Sequence, residues 1–135
     1  MAKLSATFRV IGHDLVPDDI SLLLGREPDE AHGKGDPRLG ESGRRYSDFT
    51  TGLWAIDSPK EEKPLSEHLR ELLGKLEGCG AVIRNLQEQG YRVDIFVGVF
   101  GGANIELVIP SDILRKLGDL NLELIIDVYS CESCR

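Results

Sequence analysis

The chain has 135 residues, one domain's worth, enough to bury roughly two-thirds of its unfolded surface around one core. Hydrophobic residues at 41% and charged residues at 29% are ordinary globular composition and exclude disorder as the default. Sixteen Lys and Arg against 23 Asp and Glu leave a net charge of −7, which disfavours duplex nucleic acid and anionic membrane surfaces as general partners.

No stretch approaches the ~20 apolar residues of a membrane span. The start, Met1-Ala2-Lys3-Leu4-Ser5, lacks an apolar signal core, so a cytoplasmic location is expected. Cys79, Cys131 and Cys134 are too few, and odd in number, for a disulfide scaffold.

Residues 4 to 11 alternate, with Leu4, Ala6, Phe8 and Val10 on one side, which predicts a half-buried strand. Pro17 opens a helix where its missing N–H costs nothing, Asp18 and Asp19 favour its positive end, and Gly25 stops it. Residues 26 to 43 have no apolar period and read as a long loop. One strand, or two short ones, is expected from Arg44 to Ile56, followed by a polar connector over residues 57 to 63. Leu65, Leu69, Leu72, Leu73 and Leu76 trace one face of a helix that Pro64 starts and Gly78 ends. Val82, Ile83 and Leu86 mark a shorter helix ending at Gly90.

Residues 91 to 100 return to period two. Gly101-Gly102 reads as a hairpin turn, with Ile105, Leu107 and Ile109 on the return strand. A last helix runs from Pro110 or Ser111 to Gly118, and a last strand carries Leu120, Leu122, Leu124, Ile126 and Val128 on one side. The expected fold class is α+β: a two-layer sandwich, a mostly antiparallel sheet with helices on one face. The β-α-β pattern near both ends suggests a ferredoxin-like arrangement. Residues 1 to 129 form the domain and 130 to 135 a tail.

Chemical motifs are sparse. Cys131-Glu132-Ser133-Cys134 has chelating spacing, but no second ligand pair accompanies it, and a plain tail is the simpler reading beside a metal shared across a dimer. Lys34 and Lys75 each follow a glycine, yet Pro28 and Leu69 stand where a phosphate loop needs its first glycine. Gly40-Glu41-Ser42-Gly43 is one residue short of a nucleophile elbow. His13 beside Asp14 fits acid–base chemistry or a solvated turn, His32 lies in the loop, and His68 is expected to face solvent. The remaining cluster is Lys34, Arg38, Arg44 and Arg45 with Tyr46 and Trp54, whose forks and rings suit an anion or an acidic surface. Acidic neighbours nearly cancel its charge, and Trp54, in a strand, also reads as core.

Several strings resemble one family. They are Phe8-Arg9-Val10-Ile11-Gly12, Leu15-Val16-Pro17-Asp18-Asp19-Ile20 and Leu24-Gly25-Arg26-Glu27-Pro28, then Gly33-Lys34-Gly35-Asp36, Gly52-Leu53-Trp54, the segment Leu65 to Leu76, and Leu124 to Tyr129. In that order they are similar to domain of unknown function 4279. The resemblance implies a small bacterial α+β domain standing alone. It transfers no activity, cofactor or catalytic residue.

The leading functional expectation is a non-catalytic binding or protein-interaction module, with a protein partner or a second copy as its ligand. The alternative is a binder of a small anionic ligand, or a weak enzyme, with Lys34, Arg44, Arg45, Tyr46 and Trp54 around the site. Metal-linked pairing through Cys131 and Cys134 is a third. No cofactor is called for.

Overall fold

Alternation along Lys3–Gly12 builds the central strand, β1, which buries Leu4, Ala6, Phe8 and Val10 on one side. The computed structural model describes residues 2–39, 45–46, 48–101 and 104–129, with backbone alone at 38, 39, 45 and 46. Helix α1 (Pro17–Leu24) starts on Pro17 and ends at Gly25, whose φ of 72° is the left-handed stop that its sequence predicts. Three short strands follow: β2 (Glu30–His32), β3 (Arg38–Leu39) and β4 (Arg45–Tyr46). The long strand β5 (Gly52–Glu61) leads to α2 (Leu65–Lys75) and α3 (Gly80–Glu88). Strand β6 (Arg92–Phe100), helix α4 (Ser111–Asp119) and strand β7 (Glu123–Tyr129) complete the fold.

Five strands form one open sheet in the order β2-β5-β1-β6-β7, and β3 pairs with β4 apart from it. All contacts in the large sheet are antiparallel except β6 with β7. The fold is therefore α+β as expected, but the strand order differs from the ferredoxin-like expectation. A split β-α-β unit needs a third strand between the two that flank its helix. Here β1 and β5 are direct neighbours across α1, and β6 and β7 across α4.

That parallel pair also corrects the expected hairpin. Parallel neighbours need a long crossover, not a tight turn. Among the described residues, 104 to 110 form no strand. Ile105, Leu107 and Ile109 alternate because one side of the crossover packs against the core. Gly102 lies outside the described residues. The expected connector over 57 to 63 is strand as far as Glu61. Pro59 fits there because the β1–β5 register slips by one residue between Ala6–Ser58 and Leu4–Glu61, and a bulge leaves an N–H unneeded.

One hydrophobic layer joins the sheet to the helices. Phe8 meets Trp54 edge to face, with ring centroids 6.3 Å apart. Ile20 and Leu24 of α1, Leu69 and Leu72 of α2, Ile83 and Leu86 of α3, and Ile113 and Leu117 of α4 join the same cluster. Each fully buried leucine contributes about 1.5–3 kcal/mol. The sheet residues of this cluster are Leu4 to Val10, Trp54, Ile56 and Val93 to Val99 at alternate positions, so the four described helices lie on that face. Among the described residues no helix is long and apolar enough to cross a membrane.

Candidate functional site

The expected site between residues 26 and 54 divides. Lys34 is exposed at the tip of a turn. Trp54 is fully buried and donates its indole N–H to Ser21 Oγ at 3.0 Å, so it serves the core and the docking of α1. Arg45 and Tyr46 stand on β4, but their side chains, like the whole of Arg44, lie outside the described residues. Cys131 and Cys134 lie outside them as well.

The Gly33-Lys34-Gly35-Asp36 string has a folding reason. Asp36 accepts the Gly33 N–H at 2.6 Å, and Gly35 takes a φ of 88°. Gly35 N–H donates to the Phe49 carbonyl at 2.8 Å, and Phe49 N–H returns a bond to Asp36 at 3.1 Å. The His32 ring stacks on Phe49, 3.5 Å between centroids. An N–H that a phosphate would need is thus already taken by a carboxylate.

A second cluster lies where the sequence pointed to none. Ser58 and His68 are both fully buried, with Ser58 Oγ 2.7 Å from His68 Nδ1. The Ser58 hydroxyl also bonds Glu71, and that bond holds the Glu71 carboxyl below its ordinary range. The ring is held through Nδ1 alone, and Nε2, buried, makes no hydrogen bond. Burial, and then the Lys63 charge, push the His68 pKa down, while the nearby Glu61 main chain opposes the shift. The trio has the residue types of a nucleophile, base and orienter. Yet the serine and histidine are sealed, and neither lines the groove of about 520 Å3 between Pro64–Ser66 and Asn104–Val108. A nucleophile must reach its substrate, so this trio pins β5 to α2. His68, expected to face solvent, lies three residues after Leu65 and four before Leu72, on the buried stripe, and that spacing was legible in the sequence.

The sheet's other face carries the surface chemistry. Strand register sets its rows. Across β5, β1, β6 and β7, one row reads Asp57, Thr7, Phe96, Ile125. The next, from β2, reads Glu30, Ala55, Arg9, Asp94, Glu123. Asp94 is fully buried and accepts Arg9 Nε at 2.8 Å and Arg9 Nη2 at 2.9 Å, a bidentate pair, with Arg92 Nε at 3.1 Å. The Arg9 guanidinium also lies 4.7 Å from the Phe96 ring centre. Thr7 donates to Asp57 at 2.9 Å. Toward the far end, Phe100 and Tyr129 stack at 4.7 Å with rings 1° from parallel, and Lys60 Nζ lies 3.9 Å from the Phe100 ring centre. Gly98 makes room for this: a Cβ there would fall 2.9 Å from the Phe100 ring. Arg9 and Arg92 stand against Glu30, Asp94 and Glu123, a net charge of −1, so the row does not attract anions by charge. Its residues were legible only as the wetter side of alternating strands.

Among the described residues, no group of three or more His, Cys, Asp or Glu is placed to hold a metal ion. Comparison with protein families finds one matching model, described as Domain of unknown function (DUF4279), over residues 2–131. Neither the curated proteins nor the solved structures contain a match.

Proposed function

We propose that this chain, which belongs to the DUF4279 family, is a non-catalytic binding module that takes a protein partner across the helix-free face of its sheet. One observation carries the reading. Phe96 and Ile125 stand partly wet beside the Arg9–Asp94–Arg92 cluster, Phe100 and Tyr129 stand partly wet toward the far end of the same face, and the four described helices pack on the opposite side. Aromatic and arginine side chains set in a mixed-charge surface are the composition of protein interfaces. An apolar strip of this kind on a sheet face is stabilised by removal from water. The sealing of Ser58 and His68 supports a role without chemistry for this trio.

Site-specific photo-crosslinking in cells tests this. A crosslinker at Thr7 or Phe96 is expected to capture the same protein, and one at Glu77 on the helix side is expected not to. Capture from the helix side alone, or no capture from either face, would end the proposal.

The anionic-ligand reading retains the exposed Lys34 and the arginines of residues 44 and 45. Its test is Arg44→Ala with Arg45→Ala, expected to abolish retention on an immobilised carboxylate or phosphate while leaving the circular dichroism unchanged.

A further inference from the structure

We infer that β7 pairs with the β7 of a second copy, antiparallel and centred on Ile126, making one continuous ten-stranded sheet. This surface is distinct from the helix-free face, and the inference does not depend on that reading.

The sheet has two edges. At one, β2 is three residues long, too short to template another chain. At the other, β7 runs seven residues, Glu123–Tyr129, and its only strand partner among the described residues is β6. It has no proline, glycine, lysine or arginine, and its two charges, Glu123 and Asp127, stand on the helix-free side. Its helix-side residues are Leu124, Ile126 and Val128, in register with Ile95, Val97 and Val99 of the core. The core cover runs out along this strand: Leu124 packs against the cluster, while Ile126 is 39% and Val128 58% exposed. Three alternate aliphatic residues facing the core side, two of them wet, are a hydrophobic layer cut at its edge.

The strand's match to itself selects a second copy as occupant, and charge and length select the register. In an antiparallel pair, residues facing each other lie on one face. Registers that oppose an odd residue to an even one therefore turn the copy over and break the layer. Among the rest, centring on Glu123, Ile125 or Asp127 sets acidic residues opposite each other, and centring on Leu124, Val128 or Tyr129 leaves four or more of the seven residues unpaired. Centring on Ile126 sets Glu123 opposite Tyr129, Leu124 opposite Val128, Ile125 opposite Asp127 and Ile126 opposite itself. All seven residues pair, and no like charges face. Glu123 and the copy's Asp127 come no nearer than a diagonal of about 7–8 Å, so association tightens as salt rises.

Light scattering over a concentration series, with Cys131 and Cys134 replaced by serine, is expected to show a monomer–dimer equilibrium. Ile126→Lys puts two lysines face to face and abolishes the dimer, as does Val128→Lys at a more exposed position, with circular dichroism unchanged in both. Oxidation of Ile126→Cys gives a disulfide-linked dimer, and oxidation of Leu124→Cys or Asp127→Cys does not. A wild-type chain that stays monomeric throughout, a dimer that survives both lysines, or crosslinking through Asp127→Cys in place of Ile126→Cys overturns the inference.

Discussion

His68 is neutral in the fold because burial removes it from the water that would stabilise its charge. Its pKa is lowered from the ordinary 6.5, so the unfolded chain takes up a proton at a higher pH than the folded one. The stability this confers is complete above about pH 6.5 and is lost as the pH falls through 6.5 toward the folded value. Urea unfolding at steps from pH 7.5 to 5.5 should show that loss in the wild type, and His68→Leu should flatten it. A wild-type curve level across that window would refute the neutral, buried assignment. Glu71 adds a second loss lower down, since Ser58 holds its pKa below 4.5. Across the sheet, the two arginines on Asp94 differ in what they are worth. Arg9 grips the buried carboxylate with two bonds and is 24% exposed; Arg92 offers one and is 56% exposed. Arg9→Ala leaves a buried charge short of its main partner and should cost about 3 kcal/mol. Arg92→Ala should cost less than about 1 kcal/mol. Equal losses in thermal unfolding would contradict the geometry.

At the scale of elements, what could be read in advance followed from periodicity and punctuation. Pro17 and Gly25 bound α1, the leucine stripe fixes α2, and alternation marks β1, β6 and β7. What could not be read followed from pairing, which is not local. The alternation of Ile105, Leu107 and Ile109 looks the same whether the chain lies in a sheet or across a core. Asp57–Glu61 looks like a loop because its strand role rests on Thr7, His68 and a bulge, partners far away in sequence. The open face was the least legible, since cross-strand neighbours such as Arg9 and Asp94 are 85 residues apart. One tertiary tie can be weighed directly. Trp54 Nε1 donates to Ser21 and so fixes α1 to β5. Ser21→Ala strands a buried N–H and should cost about 1–3 kcal/mol. In a Trp54→Phe background the same change should cost almost nothing, because the donor is gone. A double-mutant cycle by urea unfolding checks this, and additive losses would show that the bond carries no energy.

The molecule as a whole is a sheet graded from centre to edge. Strand β1 is hydrogen-bonded on both sides, to β5 and to β6 along nearly its full length. Strand β2 spans three residues, and β7 has one bonded side among the described residues. Opening β1 requires breaking both ladders and the core beneath them, so its exchange approaches global unfolding, whereas edge strands open locally. Hydrogen exchange of a dilute sample should therefore be slowest in β1 and the neighbouring stretches of β5 and β6, and fastest in β2 and the segment 33–37. In β7 the amides pointing toward β6 should be protected and those pointing outward should not. Raising the protein concentration gives a second ladder to those outward amides if β7 meets its copy, and their exchange should slow while β2 is unchanged. Protection that rises equally at both edges would point to non-specific association, and protection of β7 that ignores concentration would mean that its outer side is already covered within one chain.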